Sequence, residues 1–197
     1  TRRSSDLKED VRTSHIPIIL LTAKDSLQDK EEGYQVGADS YLTKPFSATL
    51  LHSRINNLLE SRKRLTERFN TSTPHHNMDE KRALLAESLN KLDNEFIEKI
   101  NQLIEARLSS EKIDIGYLAD NMCMSKSTLY RKMKALTGLS TNEYVRKIKM
   151  QHAERLLLEG RYNISEVAFR VGINSVVYFR QCFKEEFGVL PSEYLKQ

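Results

Sequence analysis

A duplicated stretch in the C-terminal part is the feature that most constrains the fold of this sequence. The offset between the two copies is 49 residues before a turn and 50 after it, so the second copy has one extra residue in that turn. Two copies are too few for a solenoid, which usually needs about three or more, so the repeat predicts one supersecondary unit used twice. The matching positions are Ile115, Leu118, Ala119, Leu129, Met133 and Gly138 in the first copy, and Ile164, Val167, Ala168, Phe179, Phe183 and Gly188 in the second.

Each copy reads as a short helix, a tight turn and a second helix. The small Ala119 and Ala168 allow two helices to pack closely at a steep angle, and Gly172 supplies the permissive backbone that such a corner needs. Cys123 takes the place of that glycine in the first copy. This pattern is typical of a helix-turn-helix, whose second helix enters the DNA major groove. The second helices open with residues that make good N-caps, namely Ser125 and Ser127 in the first copy and Asn174 and Ser175 in the second.

Charge and composition narrow the class of protein. The net charge is +4 over 197 residues, and residues 124–149 hold seven Lys or Arg and one acidic residue. That cluster is either a solvated helix face or the binding surface for a polyanion partner.

The longest apolar run is about six residues, too short for a membrane helix, and the basic N-terminus lacks the apolar stretch of a secretory signal. Two cysteines, Cys123 and Cys182, argue against a disulfide framework or a metal site. A cytoplasmic chain is expected.

The N-terminal part reads as α/β. Residues 16–21 and 40–43 are short apolar or β-branched runs, and residues 26–36 and 47–69 have helical spacing, with Ser47 as N-cap. Strand, helix, strand, helix implies a parallel sheet, and the first strand is expected to be buried. Two strands are too few for a domain of this kind. The chain either begins inside a domain or borrows strands from a neighbour, and we expect truncation.

A polar stretch and a long helix follow. Residues 71–82 hold Pro74, His75 and His76 with little apolar content, which predicts a linker. A helix is predicted from about residue 84 to 108, with an apolar stripe that faces the core: Leu92, Phe96, Ile100, Leu103 and Ile104.

The region from Ile113 to Gln197 resembles the DNA-binding domain of AraC-type transcription regulators. The resemblance rests on Tyr117-Leu-Ala119, on the run Met124 to Lys134, and on a spaced run in the second copy: Val167-Ala168, Gly172, Tyr178-Phe179, Phe183-Lys184, Phe187-Gly188 and Pro191-Ser192-Glu193-Tyr194. It implies two helix-turn-helix units, at about 113–138 and 162–187, joined by a helix at about 142–158. Their recognition helices would enter successive major grooves on one face of the DNA.

The resemblance also implies which residues contact DNA. Arg131 is the best candidate for a base contact, because its planar fork can bind guanine O6 and N7 together. Lys132 and Lys134 would touch phosphate or only solvent, and Val176 and Val177 could meet thymine methyl groups. The alternative for the second copy is a helix that mainly clamps the DNA backbone. The full set is Lys126, Ser127, Thr128, Tyr130, Arg131 and Lys132 in the first copy, and Asn174, Ser175, Val176, Val177, Tyr178, Arg180 and Gln181 in the second.

Residues 15–69 resemble the C-terminal half of a response-regulator receiver domain. The motifs are Thr22-Ala23, Gly37-Ala38-Asp39, Tyr41 and Lys44-Pro45-Phe46. The resemblance implies that Thr22 and Lys44 stabilise the oxygens of a phosphoryl group and that Tyr41 is the aromatic switch residue.

This chain departs from the receiver pattern in one respect. The acidic magnesium ligands and the phosphorylated aspartate belong to earlier strands, and Asp6, Asp10 and Asp25 are not substitutes for them. We therefore expect no phosphorylation of this fragment, no metal and no cofactor, with Mg2+ expected only in a complete receiver. The retained layer, residues 25–65, is predicted to form a homodimer contact.

The prediction is thus an α/β receiver remnant (residues 1–69), a linker (70–83) and an all-α domain (84–197) with two helix-turn-helix units. The expected function is sequence-specific binding of double-stranded DNA by a transcription regulator, as output module of a phosphorelay two-component system. The domain order, with residues 59–65 and 129–138, resembles hybrid sensor kinase–regulator chains, whose full-length forms can be anchored in the inner membrane. A free-standing response regulator and a non-catalytic protein-interaction module are the alternatives.

Enzymatic activity is not expected, because the sequence has no Gly-rich phosphate loop, nucleophile elbow, HExxH or Cys/His cluster. RNA polymerase is a further partner compatible with such a regulator, and no small-molecule substrate is expected.

Overall fold

The computed structural model describes residues 2–24, 26, 28, 31, 37–70, 90–109 and 113–195. The predicted linker and most of the predicted helix at 26–36 lie outside these residues. Among the described helices, none combines the length and apolarity needed to cross a bilayer. The elements in chain order are α1 (Arg2–Glu9), β1 (Ile19–Thr22), β2 (Ser40–Thr43), α2 (Ala48–Asn70), α3 (Lys91–Glu105), α4 (Ile115–Asn121), α5 (Lys126–Thr137), α6 (Thr141–Leu158), α7 (Ile164–Arg170), α8 (Val176–Phe187) and α9 (Pro191–Tyr194).

The two strands pair in parallel, as predicted. Their register runs from Ile19 beside Ser40 to Thr22 beside Thr43. Strand β1 begins later than the predicted residue 16, because the Ile18 N–H donates to the Asp39 carboxylate at 2.7 Å instead of to a neighbouring strand. This arrangement confirms the α/β class of the N-terminal part.

Strand β1 is not buried as predicted. The exposed fraction of Leu21 is 43%, whereas Leu42 on β2 is only 4% exposed. A parallel strand is buried on both sides only where helices cover both faces of its sheet. Within the described residues the two-stranded sheet does not have that cover.

Helix boundaries follow local capping. Helix α2 begins after Ser47, whose hydroxyl accepts a hydrogen bond from the Leu50 N–H at 3.1 Å, as predicted. Helix α3 begins at Lys91 rather than near residue 84, because Asn90 is extended and its side chain accepts from the Asp93 N–H. The predicted start was therefore wrong by about two helical turns. The apolar stripe of α3 does face the core, since Phe96, Ile100 and Ile104 are buried.

The C-terminal part contains the duplicated unit. Helices α4 and α5 form the first copy, α7 and α8 the second, and α6 joins them. Helix α6 contributes to two hydrophobic clusters: Tyr144 and Ile148 pack in the cluster of the first unit, and Met150, Ala153 and Leu157 pack in the cluster of the second. One helix thereby sets the spacing of both units.

The two turns have the same backbone geometry. Cys123 has φ 53° and Gly172 has φ 65°, the left-handed conformation that glycine adopts without strain. Cys123 therefore does occupy the position of the glycine, as the repeat predicts. In each copy the residue after this corner donates its N–H to the carbonyl of the small alanine, Met124 to Ala119 at 3.0 Å and Ile173 to Ala168 at 2.9 Å.

Candidate nucleic-acid interface

Helix α5 presents a polar and basic outer face. Ser125 caps it, because its hydroxyl accepts from the Thr128 N–H at 3.1 Å. Leu129 and Met133 are fully buried and hold the helix against the core. Of the predicted contact residues on this helix, Thr128 is half-buried and four are exposed: Lys126, Ser127, Tyr130 and Arg131.

Arg131 lies exposed on this face. Its Nε donates to the carbonyl of Ser127, one turn earlier, at 3.3 Å. That bond steadies the side chain along the helix, and recognition of guanine O6 and N7 uses the terminal guanidinium N–H groups. The position is compatible with the predicted base contact.

Lys132 does not lie on the outer face, and its predicted contact with DNA phosphate is wrong in this structure. The side chain is 0% exposed and forms an ion pair with Asp93 on α3, Nζ to Oδ1 at 2.5 Å. Burial lowers the pKa of the Lys132 ammonium, and the hydrogen bond with Asp93 opposes that shift. The spacing to buried Leu129 and Leu136, three residues back and four ahead, was the sequence signal that places Lys132 on the inner face.

Helix α8 has the corresponding arrangement in the second unit. Ser175 caps it through the Tyr178 N–H at 3.3 Å. Phe179 and Phe183 are fully buried, and Val176 is half-buried rather than outward. The other predicted contact residues are exposed: Asn174, Ser175, Val177 (77% exposed), Tyr178 (49%), Arg180 and Gln181.

Arg146 on α6 is a basic residue at this second surface that the sequence reasoning did not single out. Its guanidinium lies 3.6 Å from Glu185 on α8 and interacts with the hydroxyl of Tyr178. The hydrogen bond with Cys182 and burial raise the pKa of Tyr178, while Arg146 acts in the opposite direction. Its place in the basic stretch 124–149 was the available signal.

The basic stretch is less exposed than its composition suggests. Lys132, Lys147 and Lys149 are all buried. Lys147 lies 3.5 Å from the carboxylate of Glu186, and Lys149 donates to the Gly172 carbonyl at 3.2 Å. The outward charge of this stretch therefore comes from the four exposed basic residues, Lys126, Arg131, Lys134 and Arg146.

The predicted receiver switch residues meet at one end of the sheet. Thr22 and Thr43 are register partners, and the Lys44 N–H donates to the Thr22 carbonyl at 2.7 Å. The Tyr41 hydroxyl donates to the carbonyl of Lys24 at 2.9 Å. Within the part of the chain that the structure describes, no group of three or more His, Cys, Asp or Glu side chains is placed to hold a metal ion.

Comparison with known families agrees with this geometry. Residues 118–197 match the family model for a helix-turn-helix domain, and residues 4–56 match that for a response regulator receiver domain. The chain therefore contains part of a response regulator receiver domain followed by a helix-turn-helix domain of AraC type.

Individual relatives cover the chain to different extents. Histidine kinase P4 of Formosa agariphila is 35% identical over 194 residues, which are 98% of this chain and 14% of that protein. The DNA-binding dual transcriptional regulator Rns of Escherichia coli is 32% identical over 99 residues, 50% of this chain and 37% of that protein. The chain thus spans only a part of the length of these relatives.

Two solved structures each align with about half of this chain. The C-terminal domain of AraT, a response regulator from Geobacillus stearothermophilus, aligns with a TM-score of 0.47 and 31% identity over 51% of this chain and 84% of that one. The DNA-binding domain of the global transcriptional factor AdpA, solved with a target DNA, aligns with a TM-score of 0.47 and 30% identity over 51% and 89%.

Proposed function

We propose that this chain binds double-stranded DNA sequence-specifically as the output part of a transcription regulator. The observation that carries the proposal is the duplicated unit, in which α5 and α8 are each capped, buried on one side by fully enclosed side chains, and polar on the other. A helix that is apolar on one side and polar on the other can insert into a major groove. Helix α6 joins two such helices.

The two helices have different chemistry. Helix α5 carries the basic and hydroxyl groups, with Arg131 reading a base and Lys126 and Lys134 contacting phosphate. Helix α8 offers Val177 to a thymine methyl group, with Arg180 on the backbone. If α8 only clamps the backbone, its contacts add affinity without sequence preference.

The receiver segment points to control by a phosphorelay. The match of the Formosa agariphila histidine kinase over 98% of this chain supports the hybrid arrangement, in which kinase and regulator share one polypeptide. A free-standing response regulator of the same domain order is the second candidate. In either arrangement RNA polymerase is a partner of the whole regulator.

A homodimer contact within residues 25–65 is part of the proposal. Residues 25–36 lie mostly outside the described part, but helix α2 carries Leu50, Ile55 and Leu59 with 44%, 38% and 57% of their surfaces exposed. Exposed apolar side chains on one helix favour association with a second copy.

The decisive experiment is selection of bound sequences from random duplex DNA at two salt concentrations. An enriched motif with two half-sites about one helical turn apart supports two reading helices. Salt-sensitive binding without enrichment reduces the function to backbone binding. Absence of DNA binding at low salt favours the protein-interaction module and overturns the proposal.

A further inference from the structure

Residues 10–15, in the loop between α1 and β1, are attached to the first helix-turn-helix unit by a buried polar network. We call this segment the docking loop. The Lys132 ammonium of α5 donates to the Val11 carbonyl at 2.5 Å and to the Ser14 hydroxyl at 2.8 Å. Its third bond goes to Asp93 of α3 at 2.5 Å. All three N–H groups of the ammonium are thereby used, two of them by the docking loop.

The Ser14 and Asp93 side chains that bind Lys132 make further hydrogen bonds of their own. Ser14 is 0% exposed and donates to Asp93 Oδ1 at 2.7 Å. The other carboxylate oxygen of Asp93 accepts from the Asn90 side chain at 2.9 Å, and the same amide donates to the Ser14 carbonyl at 3.3 Å. Helix α2 adds a second attachment, because Arg62 donates to the His15 carbonyl.

Because Lys132 is buried, its ammonium needs the hydrogen-bond acceptors that the docking loop supplies. A buried ion pair is tolerated only where hydrogen bonds satisfy the remaining protons of the ammonium. Helix α3 offers Lys132 the Asp93 carboxylate and the face of the Phe96 ring, 4.8 Å from Nζ. The docking loop supplies the other two acceptors. Without it, Lys132 would be hydrated and therefore accessible to solvent.

The contact lies behind the recognition helix. Lys132 is on the inner side of α5, whereas Lys126, Tyr130 and Arg131 remain exposed on the outer side. Docking therefore leaves the proposed DNA-reading face uncovered. Residues 16–18 connect the docking loop to β1, and the other end of that strand carries Thr22.

We propose that the docking loop is the coupling contact between the receiver and the DNA-reading helix, and that α5 is held for DNA binding only while Ser14 and Val11 engage Lys132. The coupling part of this inference rests on the proposed DNA-binding function, whereas the docking part does not. A movement of β1 relative to α1 shifts both acceptors of Lys132, so a change in the receiver is transmitted to the back of α5.

The docking part is tested without DNA, by amine labelling of the 197-residue chain read out by mass spectrometry. Three lysines serve as reporters: Lys132 for docking, exposed Lys134 as the reactive reference, and buried Lys149 as a check that the second unit remains folded. We expect Lys132 to label more slowly than Lys134 by about tenfold or more.

Two variants of Ser14 open the contact to different degrees. Ser14→Trp cannot fit a fully buried site, so Lys132 should label as fast as Lys134 while Lys149 stays protected. Ser14→Ala removes one acceptor and should give an intermediate rate. The matched control is Ser109→Trp at an exposed position, which should leave Lys132 protected. Fast labelling of Lys132 in the parent chain, or unchanged protection in Ser14→Trp, overturns the docking contact.

The coupling part is tested on a duplex obtained by the selection. Ser14→Trp should bind it more weakly by about fivefold or more, because a helix that is no longer held in place must be ordered on binding. Ser109→Trp should bind like the parent chain. Unchanged or stronger binding by Ser14→Trp overturns the coupling. A parent chain that binds no DNA overturns the proposed function and the coupling with it, while the labelling still decides the docking.

Discussion

At the scale of single residues, burial decides which polar side chains are accessible to solvent and to DNA. Lys132 and Arg131 are adjacent in sequence, yet one is enclosed and the other exposed. His15, beside the docking network, is 8% exposed, and its Nδ1 has no hydrogen-bond partner among the described residues. Burial, and then the charge of Lys132, lower the pKa of His15 from 6.5 to about 4. The imidazole is therefore neutral in the folded chain at neutral pH.

Stability should fall on mild acidification because of His15. Between pH 6.5 and 4 the unfolded chain binds a proton at this imidazole and the folded chain does not, so the free energy of unfolding decreases as pH falls. The loss is up to about 3 kcal/mol. Urea denaturation at pH 7.0 and 4.5 measures it, with His15→Gln as the matched variant. The same pH dependence in parent and variant would contradict this assignment.

Arg131→Ala should weaken binding to the selected sequence by about 1–3 kcal/mol and relax preference at one base position. The physical reason is the loss of a bidentate contact to a base edge. Fluorescence anisotropy on the selected duplex and on single-base variants measures both effects. Lys134→Ala is the control and should weaken all sequences alike. An equal loss from Arg131→Ala on random DNA would refute the base contact.

At the scale of elements, the two copies fill equivalent positions of their cores with different side chains. The rings of Phe179, Phe187 and Tyr194 surround Phe183, at centroid distances of 5.9, 4.5 and 5.6 Å. The equivalent position in the first copy is Met133, also fully buried. The repeat thus conserves burial rather than side-chain identity.

Phe183→Ala should destabilise the chain by about 3–5 kcal/mol, because the surrounding rings cannot fill the cavity. Phe169→Ala is a matched control in the same unit, since Phe169 is 70% exposed. It should change stability by no more than about 0.5 kcal/mol. Chemical denaturation of both variants measures the difference. Equal stability of the two would contradict the alignment of the copies.

The two turns should respond in opposite directions to substitution. Gly172→Ala places a Cβ on a left-handed residue and should cost about 1–2 kcal/mol, whereas Cys123→Gly relieves the same strain. The gain at Cys123 is smaller than the strain, because glycine adds conformational entropy to the unfolded chain. Thermal unfolding of both variants measures the shifts. A stabilising Gly172→Ala would show that the corner does not require this conformation.

At the scale of the whole molecule, the receiver segment and the first helix-turn-helix unit form a shared interior. Ser14 and Lys132 are 118 residues apart in sequence and only 2.8 Å apart at the hydroxyl and Nζ. Leu50, Ile55 and Leu59 of α2 stay exposed and are the side chains proposed to meet a second copy.

Leu59→Glu should weaken association of two copies by about tenfold or more, because it places a charge in an apolar contact. Sedimentation equilibrium over a range of concentrations measures the dissociation constant. Glu60→Gln, at an exposed neighbouring position, is the control and should leave the constant unchanged. A chain that is monomeric at all concentrations would remove the dimer from the proposed function.

The sequence alone determined the features that depend on local order along the chain. The repeat predicted both helix-turn-helix units and the corner at which Cys123 takes the place of Gly172, because helical periodicity and turn geometry are properties of neighbouring residues. The strand order and the caps at Ser47, Ser125 and Ser175 followed for the same reason.

Only the tertiary structure decided which partners the buried charged side chains meet. Composition counted Lys132, Lys147 and Lys149 as part of a basic surface, but each is enclosed with a distant partner. Lys132 meets Asp93, Ser14 and Val11 because helix α3 and the loop before β1 fold against α5. Burial of a charge depends on partners that are remote in sequence, and no local pattern specifies them.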